Sequence, residues 1–309
     1  MSKRIVFLYC TQKNKEVLLQ YERVIRALLR KFRKSALFSY LQIDPSPACR
    51  TKMRDLLQSE TSRPGAVFLE SDAQNVFSCL DLLKEAFGFY ASSHHISGRT
   101  IIYAEQKTNS QESNKNVIHT VTYEKDSIKK ATNLSLDMAK ARKHSLSLCL
   151  QQSNELDCVL LREAEIVFGK ERHISFEYLS LDEMISLCMK TVPPFDIVLT
   201  LKEYAPIIAM HLNSMPDIPA GYIVCYGNSH KVYRRQLLTH EEIGNLRHLS
   251  SVLSIAAIFE NEFRMKNAAN WLKRATLLSF TKEANSTPRE FLRSIISEIE
   301  TPIRKRRTQ

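Results

Sequence analysis

The N-terminal part of the chain alternates between short apolar runs and helical stripes, and this alternation limits the fold more than any other feature. Residues 4–10 form a continuous apolar run of the kind found in a strand that is covered on both faces. Residues 16–32 and 48–58 carry apolar side chains at helical spacing, while 36–43 and 66–69 are further apolar runs. The alternation predicts an α/β layer with mostly parallel strands.

The same unit recurs in the middle of the chain and gives way to helices at its end. Predicted strands are residues 100–104, 145–150, 174–179, 195–199 and 222–226, and predicted helices are 127–143, 155–169, 182–190, 246–259, 268–280 and 288–299. Pro288 lies in the first turn of the last helix behind Thr287, a suitable N-cap. The polar stretch TNSQESNKN at 108–116 predicts an exposed loop or arm.

The formal net charge of +11 favours an acidic partner such as nucleic acid, an acidic protein or an anionic small molecule. Two groups of basic residues supply much of it, one in the first helix and one in the tail: Arg23, Arg26, Arg30, Lys31, Arg33 and Lys34, and Arg304, Lys305, Arg306 and Arg307. A basic helix face is more often a solvated face than a nucleic-acid surface, whereas the tail resembles a short nuclear localisation signal.

The seven cysteines are scattered singly, without a CxxC pair or a histidine at metal spacing. This pattern predicts neither a metal site nor a disulfide framework, and it fits a reducing compartment. We therefore expect a cytoplasmic or nuclear protein, and a mitochondrial one only if a transit peptide has been removed. No apolar run approaches the roughly 20 residues of a membrane helix, so no membrane partner is expected.

Several stretches resemble segments of the isocitrate/isopropylmalate dehydrogenase family. LSLCLQQSNELDCVLLREA resembles the family's strand and helix that begin with V-D-K-x-N, and SLDEMISLCMKTVPPFDIVLT resembles the phrase that ends in F-D-V-I-V-T. LLKEAFGFYASSHHI resembles L-R-K-x-L-D-L-F-A-N-L-R-P-V. HLSSVLSIAAIFE and TPREFLRSIISEIE resemble the N-P-I-A-A-I-L-S-A-x-M-x-L helix and the terminal helix. The segments follow the order of the family and cover most of the chain.

The resemblance implies an α/β fold with two domains and a central cleft. It places a large α/β domain in residues 1–98 and 235–309 and a small dimerisation domain in 99–234. It also implies a homodimer, or a heterodimer with a family homologue. The family oxidises a secondary alcohol with a nicotinamide cofactor and then decarboxylates the product, which requires a divalent cation, cationic groups for the substrate carboxylates and a base.

The metal-binding residues of the family are mostly replaced in this sequence. Asp182 matches one of three aspartates, but the other two fall on Pro206 and Met210. Neither side chain offers the oxygen ligand that a hard cation prefers. Asp182 then has the simpler role of a helix N-cap.

The residues that hold the substrate and move protons are replaced as well. Three arginines of the family fall on Lys84, His94 and Ala104, of which only lysine keeps a charge at pH 7, without the bidentate geometry of arginine. The proton-transfer lysine falls on Gln152, which cannot exchange a proton. We therefore expect no catalysis.

The cofactor-binding segments have lost their pattern too. The glycine-rich turn after the first strand is replaced by TQKNK at 11–15, and the H-G-S-A-P-D loop by GNSHK at 227–231. With only seven glycines in the chain, close backbone approach to a pyrophosphate is hard to arrange, and we expect no cofactor.

These observations leave three functions. The favoured one is a catalytically inactive dehydrogenase-like protein that binds other proteins as a scaffold or regulatory subunit through its dimer surface. The alternative is a nuclear protein that associates with nucleic acid or chromatin through its basic surface and tail. An active NAD-dependent dehydrogenase is least favoured, because it needs new ligands in place of those lost.

Overall fold

The structure is a computed structural model that describes residues 3–61, 65–72, 75–112, 117–142, 145–151, 155–171, 173–190, 192–213, 221–236, 245–283 and 286–301. Its contacts divide the chain into two compact units. The first unit contains Met1–Ala86 and His230–Gln309, and the second contains Phe87–Ser229. The first unit is therefore assembled from both ends of the chain.

A parallel sheet forms the centre of the first unit, with strands in the order β2 (Ala36–Gln42), β1 (Lys3–Tyr9), β3 (Ala66–Glu70) and β12 (Lys231–Arg235). The predicted strands at 4–10, 36–43 and 66–69 are confirmed. All five residues of β3 are buried, as expected for a strand that is covered on both faces. β12 was not predicted, because its sequence KVYRR has few apolar residues.

Six helices of the described chain belong to this unit: α1 (Gln12–Lys31), α2 (Arg50–Glu60, preceded by a 3₁₀ turn at Pro47–Cys49), α3 (Val76–Phe87), α8 (Leu246–Asn261), α9 (Lys266–Glu283) and α10 (Pro288–Glu300). Thr287 caps α10 through a capping box with Glu290, which confirms the predicted start. The buried stripe of α10, Phe291, Leu292, Ile295 and Ile299, has helical spacing. α10 packs against α9 and α1.

The second unit has a mixed sheet with strands in the order β11 (Gly221–Gly227), β4 (Phe89–Ile96), β5 (Arg99–Ala104), β10 (Ile197–Thr200), β8 (Leu146–Leu150) and β9 (Phe176–Ser180). β5, β10, β8 and β9 are parallel, and β4 is antiparallel to both of its neighbours. Its helices in the described chain are α4 (Lys125–Arg142), α5 (Glu155–Phe168), α6 (Leu181–Cys188) and α7 (Ala205–Asn213). α7 packs against β4 and β5.

An antiparallel ribbon of β6 (Gln106–Glu112) and β7 (Val117–Tyr123) extends the second unit. Of the predicted loop or arm at 108–116, the loop is wrong for residues 108–112, which belong to this ribbon, and 113–116 lie outside the described residues. Residues 106–112 lack the apolar alternation by which a strand is recognised, and they are held by backbone pairing with β7.

The structure also corrects the expected role of Asp182. The N-cap of α6 is Ser180, whose side chain accepts a hydrogen bond from the backbone N–H of Glu183 while the Glu183 side chain accepts from the Ser180 backbone N–H. Asp182 lies two residues inside the cap, in the first turn, and is exposed. The helix begins earlier than predicted, so the capping position falls on serine.

The units differ from the expected domain boundaries at two strands. The sequence places β4 in the large domain and β12 in the small one. In the structure β4 pairs along its length with β5 and β11, and β12 pairs with β3. Dimerisation through the middle segment stays a prediction. No helix in the described part of the chain is long and apolar enough to cross a membrane.

Candidate functional site

The carboxyl ends of the parallel strands are the place to look for a site, because ligands of open α/β sheets bind there, at the point where the strand order reverses. In the first unit this point lies between β1 and β3, since the chain passes from β1 to β2 on one side and returns to β3 on the other. We call the residues beyond these strand ends the first edge: Cys10 and Thr11 after β1, Glu70 and Ser71 at the end of β3, and Arg235 at the end of β12.

At the first edge, backbone N–H groups at the start of α1 donate hydrogen bonds to side chains of the same segment. The backbone N–H of Asn14 donates to Thr11 Oγ1 over 3.2 Å, and the backbone N–H of Thr11 donates to Asn14 Oδ1 over 3.2 Å. Asn14 is buried with 1% of its surface exposed. The residues at 11–15 that replace the family's glycine-rich turn thus form a capping box, which ties up groups that a phosphate needs at a helix N-terminus.

A buried ion cluster fills the first edge beyond β3. Glu70 is fully buried, and its Oε1 accepts hydrogen bonds from Arg247 Nε at 3.1 Å and Nη2 at 2.7 Å. Its Oε2 accepts from Ser251 Oγ at 3.1 Å. Arg235 lies 3.5 Å from Glu70 Oε1 and donates to the carbonyl oxygen of Ser71 at 2.9 Å. We call Glu70, Arg235, Arg247 and Ser251 the Glu70 cluster.

A tyrosine and a histidine extend this cluster into the core. Tyr21 of α1 and His248 of α8 share a hydrogen bond of 2.9 Å between Tyr21 Oη and His248 Nδ1. Burial, and after it the carboxylate of Glu70, raises the pKa of the Tyr21 phenol well above its usual value. The phenol therefore stays protonated, and the group is a structural link between α1 and α8 and not a proton donor of ordinary acidity.

The second unit has a corresponding second edge, beyond β5 and β10. Glu105 directly follows β5 and accepts hydrogen bonds from Ser92 Oγ at 2.6 Å and from Lys202 Nζ at 3.0 Å. The Glu105 side chain is 9% exposed and that of Lys202 is 35% exposed. The charges are paired within the chain, in contact with solvent on the lysine side.

Two further carboxylates of the second edge are held by tyrosines. Tyr123 Oη donates to Glu203 Oε2 at 2.6 Å, and Tyr204 Oη donates to Asp157 Oδ2 at 3.3 Å. The same Asp157 oxygen accepts from the backbone N–H of Gln151 at 2.9 Å. Burial raises the pKa of Asp157, while the two hydrogen bonds oppose the shift.

The positions that match the family's chemistry lie on several elements of the fold. Lys84 lies in α3, Asp182 in α6, and Pro206 and Met210 on the exposed side of α7, one helical turn apart. His94 in β4 and Ala104 at the end of β5 are buried. Gln152 and the tail residues Arg304, Lys305, Arg306 and Arg307 lie outside the described residues. The described side chains include no group of three or more histidine, cysteine or acidic residues that could hold a metal ion.

The basic helix face is partly neutralised within the first unit. Arg26 pairs with Glu22, and Arg30 pairs with Glu300. Lys31 donates to the carbonyl oxygens of Ile299 and Thr301 at the end of α10, and lies 4.3 Å from the ring centre of Trp271. Arg30 and Lys31 therefore link α1 to the C-terminal end of α10, where the helix dipole favours a cation, whereas Arg26 is paired within α1.

The comparisons with known proteins give a fold. No family model and no curated protein sequence matches the chain. The crystal structure of a β-decarboxylating dehydrogenase from Thermococcus kodakarensis, in its apo form, matches with a TM-score of 0.74 and 16% sequence identity over 96% of both chains. The chain has an isocitrate/isopropylmalate dehydrogenase-like fold. At this identity the match shows the fold alone, so the expected fold class is confirmed and the function stays open.

Neither the Glu70 cluster nor the pairing of Glu105 with Lys202 was predicted. Their members are far apart in the sequence and come from several elements, and no short motif joins them. One signal was available for both. Glu70 and Glu105 each follow a strongly apolar run, which is where a parallel strand delivers a side chain to its carboxyl end.

Proposed function

We propose that this chain is a catalytically inactive protein with a dehydrogenase-like fold that acts by binding other proteins, as a scaffold or regulatory subunit. The observation that carries the proposal is on α7. Pro206 and Met210, which match two metal-binding aspartates, lie one turn apart on its exposed side. Helix α7 still holds these two positions one turn apart, but neither side chain offers the oxygen ligand that Mg²⁺ prefers.

The charged groups at the two edges support the same proposal. In the first edge the carboxylate of Glu70 is saturated by Arg247, Arg235 and Ser251. In the second edge Glu105 is paired with Lys202. Side chains that could bind a substrate carboxylate or cation are thus engaged with each other, which favours a structural role over turnover.

The alternative, a nuclear protein associated with nucleic acid or chromatin, rests on the net charge of +11 and on Arg304, Lys305, Arg306 and Arg307. The pairing of Arg26 and Arg30 and the packing of Lys31 weaken it, because these cations already have partners inside the unit. We therefore favour a protein partner. A homodimer, or a heterodimer with a homologue, is part of the proposal.

The test has a catalytic arm and an assembly arm on the same full-length protein. The catalytic arm measures reduced nicotinamide from NAD or NADP with isocitrate or 3-isopropylmalate and Mg²⁺ or Mn²⁺, beside an active homologue. We expect no turnover above the buffer control, and no Mg²⁺ binding by calorimetry. Turnover that is lost on adding a chelator would overturn the proposal.

The assembly arm measures mass by light scattering and identifies proteins that copurify under mild salt. We expect a dimer and a defined protein partner. Copurification of nucleic acid alone, removed by nuclease without loss of any protein, would favour the nuclear alternative instead.

A further inference from the structure

Two cysteine side chains meet at the first edge. Cys10 directly follows β1 and Cys79 lies in the first turn of α3, 69 positions further along the chain, yet their Sγ atoms are 2.8 Å apart. A disulfide bond is about 2.0 Å long, so a small rotation of the side chains brings the sulfurs to bonding distance. Asp72 is the charged group that acts on both thiols.

The two thiols are unequal in access and acidity. Cys10 is half-buried, whereas Cys79 is fully buried. The hydrogen bond with Cys79 lowers the pKa of the Cys10 thiol, against the opposing effects of burial and Asp72. The same hydrogen bond, together with burial, raises the pKa of Cys79. Since the thiolate is the reactive form, Cys10 is the first to react and Cys79 the second.

We propose that Cys10 and Cys79 form a thiol-oxidation site that reacts with a hydroperoxide and closes to a disulfide. The Cys10 thiolate attacks a peroxide oxygen, the O–O bond breaks, and Cys10 becomes a sulfenic acid while water or an alcohol leaves with a proton. The Cys79 sulfur then attacks the sulfenic sulfur, the S–O bond breaks, and water leaves. Two thiols lose two electrons in all, and the peroxide gains them.

The experiment treats the full-length protein with hydrogen peroxide, blocks the remaining thiols with an alkylating reagent, and maps the peptides without reduction. We expect the linked Cys10–Cys79 peptide to be the main disulfide and to disappear on reduction. The exposed Cys158 is the internal control for general thiol reactivity, and C158S should leave the linkage unchanged.

A second measurement does not depend on forming the bond. In C79S, the Cys10 sulfenic acid should persist and be trapped by dimedone, while C10S should show no trapped adduct at Cys79. Oxidation of Cys158 with Cys10 and Cys79 both unmodified, or linkage of Cys10 mainly to cysteines other than Cys79, would overturn the site.

A different surface of the first unit extends the proposed function and rests on it. Helices α1 and α10 border a groove of about 360 Å³. Three aliphatic residues, Leu19, Leu292 and Ile296, line it together with three arginines, Arg23, Arg289 and Arg293. Leu19 is 42% exposed, so part of the apolar lining faces solvent.

The charges of the groove are one-sided. Three arginines line it against one acid, Glu16. Among the described residues none of the three arginines forms an ion pair, in contrast to Arg26 and Arg30 further along α1. The lining of the groove contains no aromatic ring on which a nucleic-acid base could stack.

We infer that this groove binds an acidic amphipathic helix of a protein partner. Leucines spaced at three and four residues on such a helix contact Leu19, Leu292 and Ile296, and carboxylates on its flanks pair with Arg23, Arg289 and Arg293. The arginine forks suit carboxylates in two-point contacts. A partner helix therefore needs both features at once, apolar side chains along its centre and negative charges on its flanks.

The probe is a labelled synthetic helix with leucines on one face and glutamates on its flanks, titrated with the full-length protein by fluorescence anisotropy. We expect R293A and L19D each to weaken binding about ten-fold. The matched controls are R274A and L278D on the exposed face of α9, which should change binding by less than about two-fold. Circular dichroism checks that each variant is folded.

Two comparisons decide the outcome. A scrambled peptide of the same composition, or a single-stranded oligonucleotide of the same charge, that binds as tightly as the probe would mean general electrostatic attraction and would refute the groove. If instead a protein partner copurifies as strongly with R293A as with the natural chain, the groove does not bind that partner, while the proposed function stands. Dehydrogenase turnover by the same preparation would overturn the proposed function independently of the groove.

Discussion

The two edges contain the same kind of pair, a glutamate at the end of an apolar strand and a cation from a distant segment, in opposite surroundings. Glu70 in the first edge is fully buried, and the Arg247 side chain is 8% exposed. Glu105 in the second edge is paired with Lys202, whose side chain is 35% exposed. The pair of Glu70 with Arg247 is therefore part of the core of its unit. In the pair of Glu105 with Lys202, water can hydrate the carboxylate in place of the lysine.

The largest effect is expected from E70Q. The substitution removes the charge that compensates Arg247 and Arg235, and a buried pair that loses one partner costs about 3–5 kcal/mol of unfolding free energy. Urea unfolding followed by circular dichroism measures the loss. A cost below about 1 kcal/mol would show that the two arginines find other partners and that the cluster is not part of the core.

The matched change in the second edge is K202M, which keeps the bulk of the side chain and removes its charge. We expect a loss of about 1 kcal/mol or less, because the pair is partly solvated and Glu105 keeps its hydrogen bond with Ser92. The same unfolding experiment measures it. If K202M lowers the unfolding free energy as much as E70Q does, the exposure of the two ion pairs does not determine their contribution to stability.

The difference between the edges also explains what could be predicted from the sequence. Most strands followed from continuous apolar runs and most helices from apolar residues at helical spacing, and the start of α10 followed from Thr287 and Pro288, because these signals are local. The elements β4, β7, α3 and α7 were not predicted. The Glu70 cluster could not be predicted, since Glu70 and Arg247 are 177 positions apart. The polar strand β6 was missed because its partner, and not its own composition, decides its conformation.

An effect well below that of E70Q, and close to that of K202M, is expected at the helix caps. T11A in the first edge and S180A at the start of α6 each remove a capping hydrogen bond, so each should cost about 1 kcal/mol of unfolding free energy. D182A should cost less than about 0.5 kcal/mol, because the exposed Asp182 contributes only through the helix dipole. A larger loss for D182A than for S180A would restore Asp182 as the residue that matters at this helix.

The smallest effect concerns pH and belongs to the second edge alone. The pKa of Asp157 is raised by burial above the usual 3.8, so the folded chain binds this proton more tightly than the unfolded chain. The linkage slope is then negative, and unfolding free energy falls as pH rises from about 3.8 through the raised pKa. D157N, which keeps the acceptor for Gln151 and Tyr204, should remove this decline.

The measurement for this prediction is a series of urea unfolding curves from acid to neutral pH. The natural chain and D157N should differ most at neutral pH and approach each other in acid. Parallel curves at all pH values would contradict a titration of Asp157 and leave only a constant difference.

The first unit joins β12 and α8–α10 from the end of the chain to strands from its beginning, and this has a consequence for biosynthesis. A ribosome releases residues 1–86 long before β12 can pair with β3, whereas Phe87–Ser229 is continuous and can fold while the rest is still being made. During that interval β3 lacks one of its two neighbours, β12, and α1 lacks α10, so apolar surface of the early segment stays uncovered. Chaperone demand should therefore fall on the N-terminal segment, and a nascent chain truncated before residue 230 should be degraded through it while the second unit remains folded.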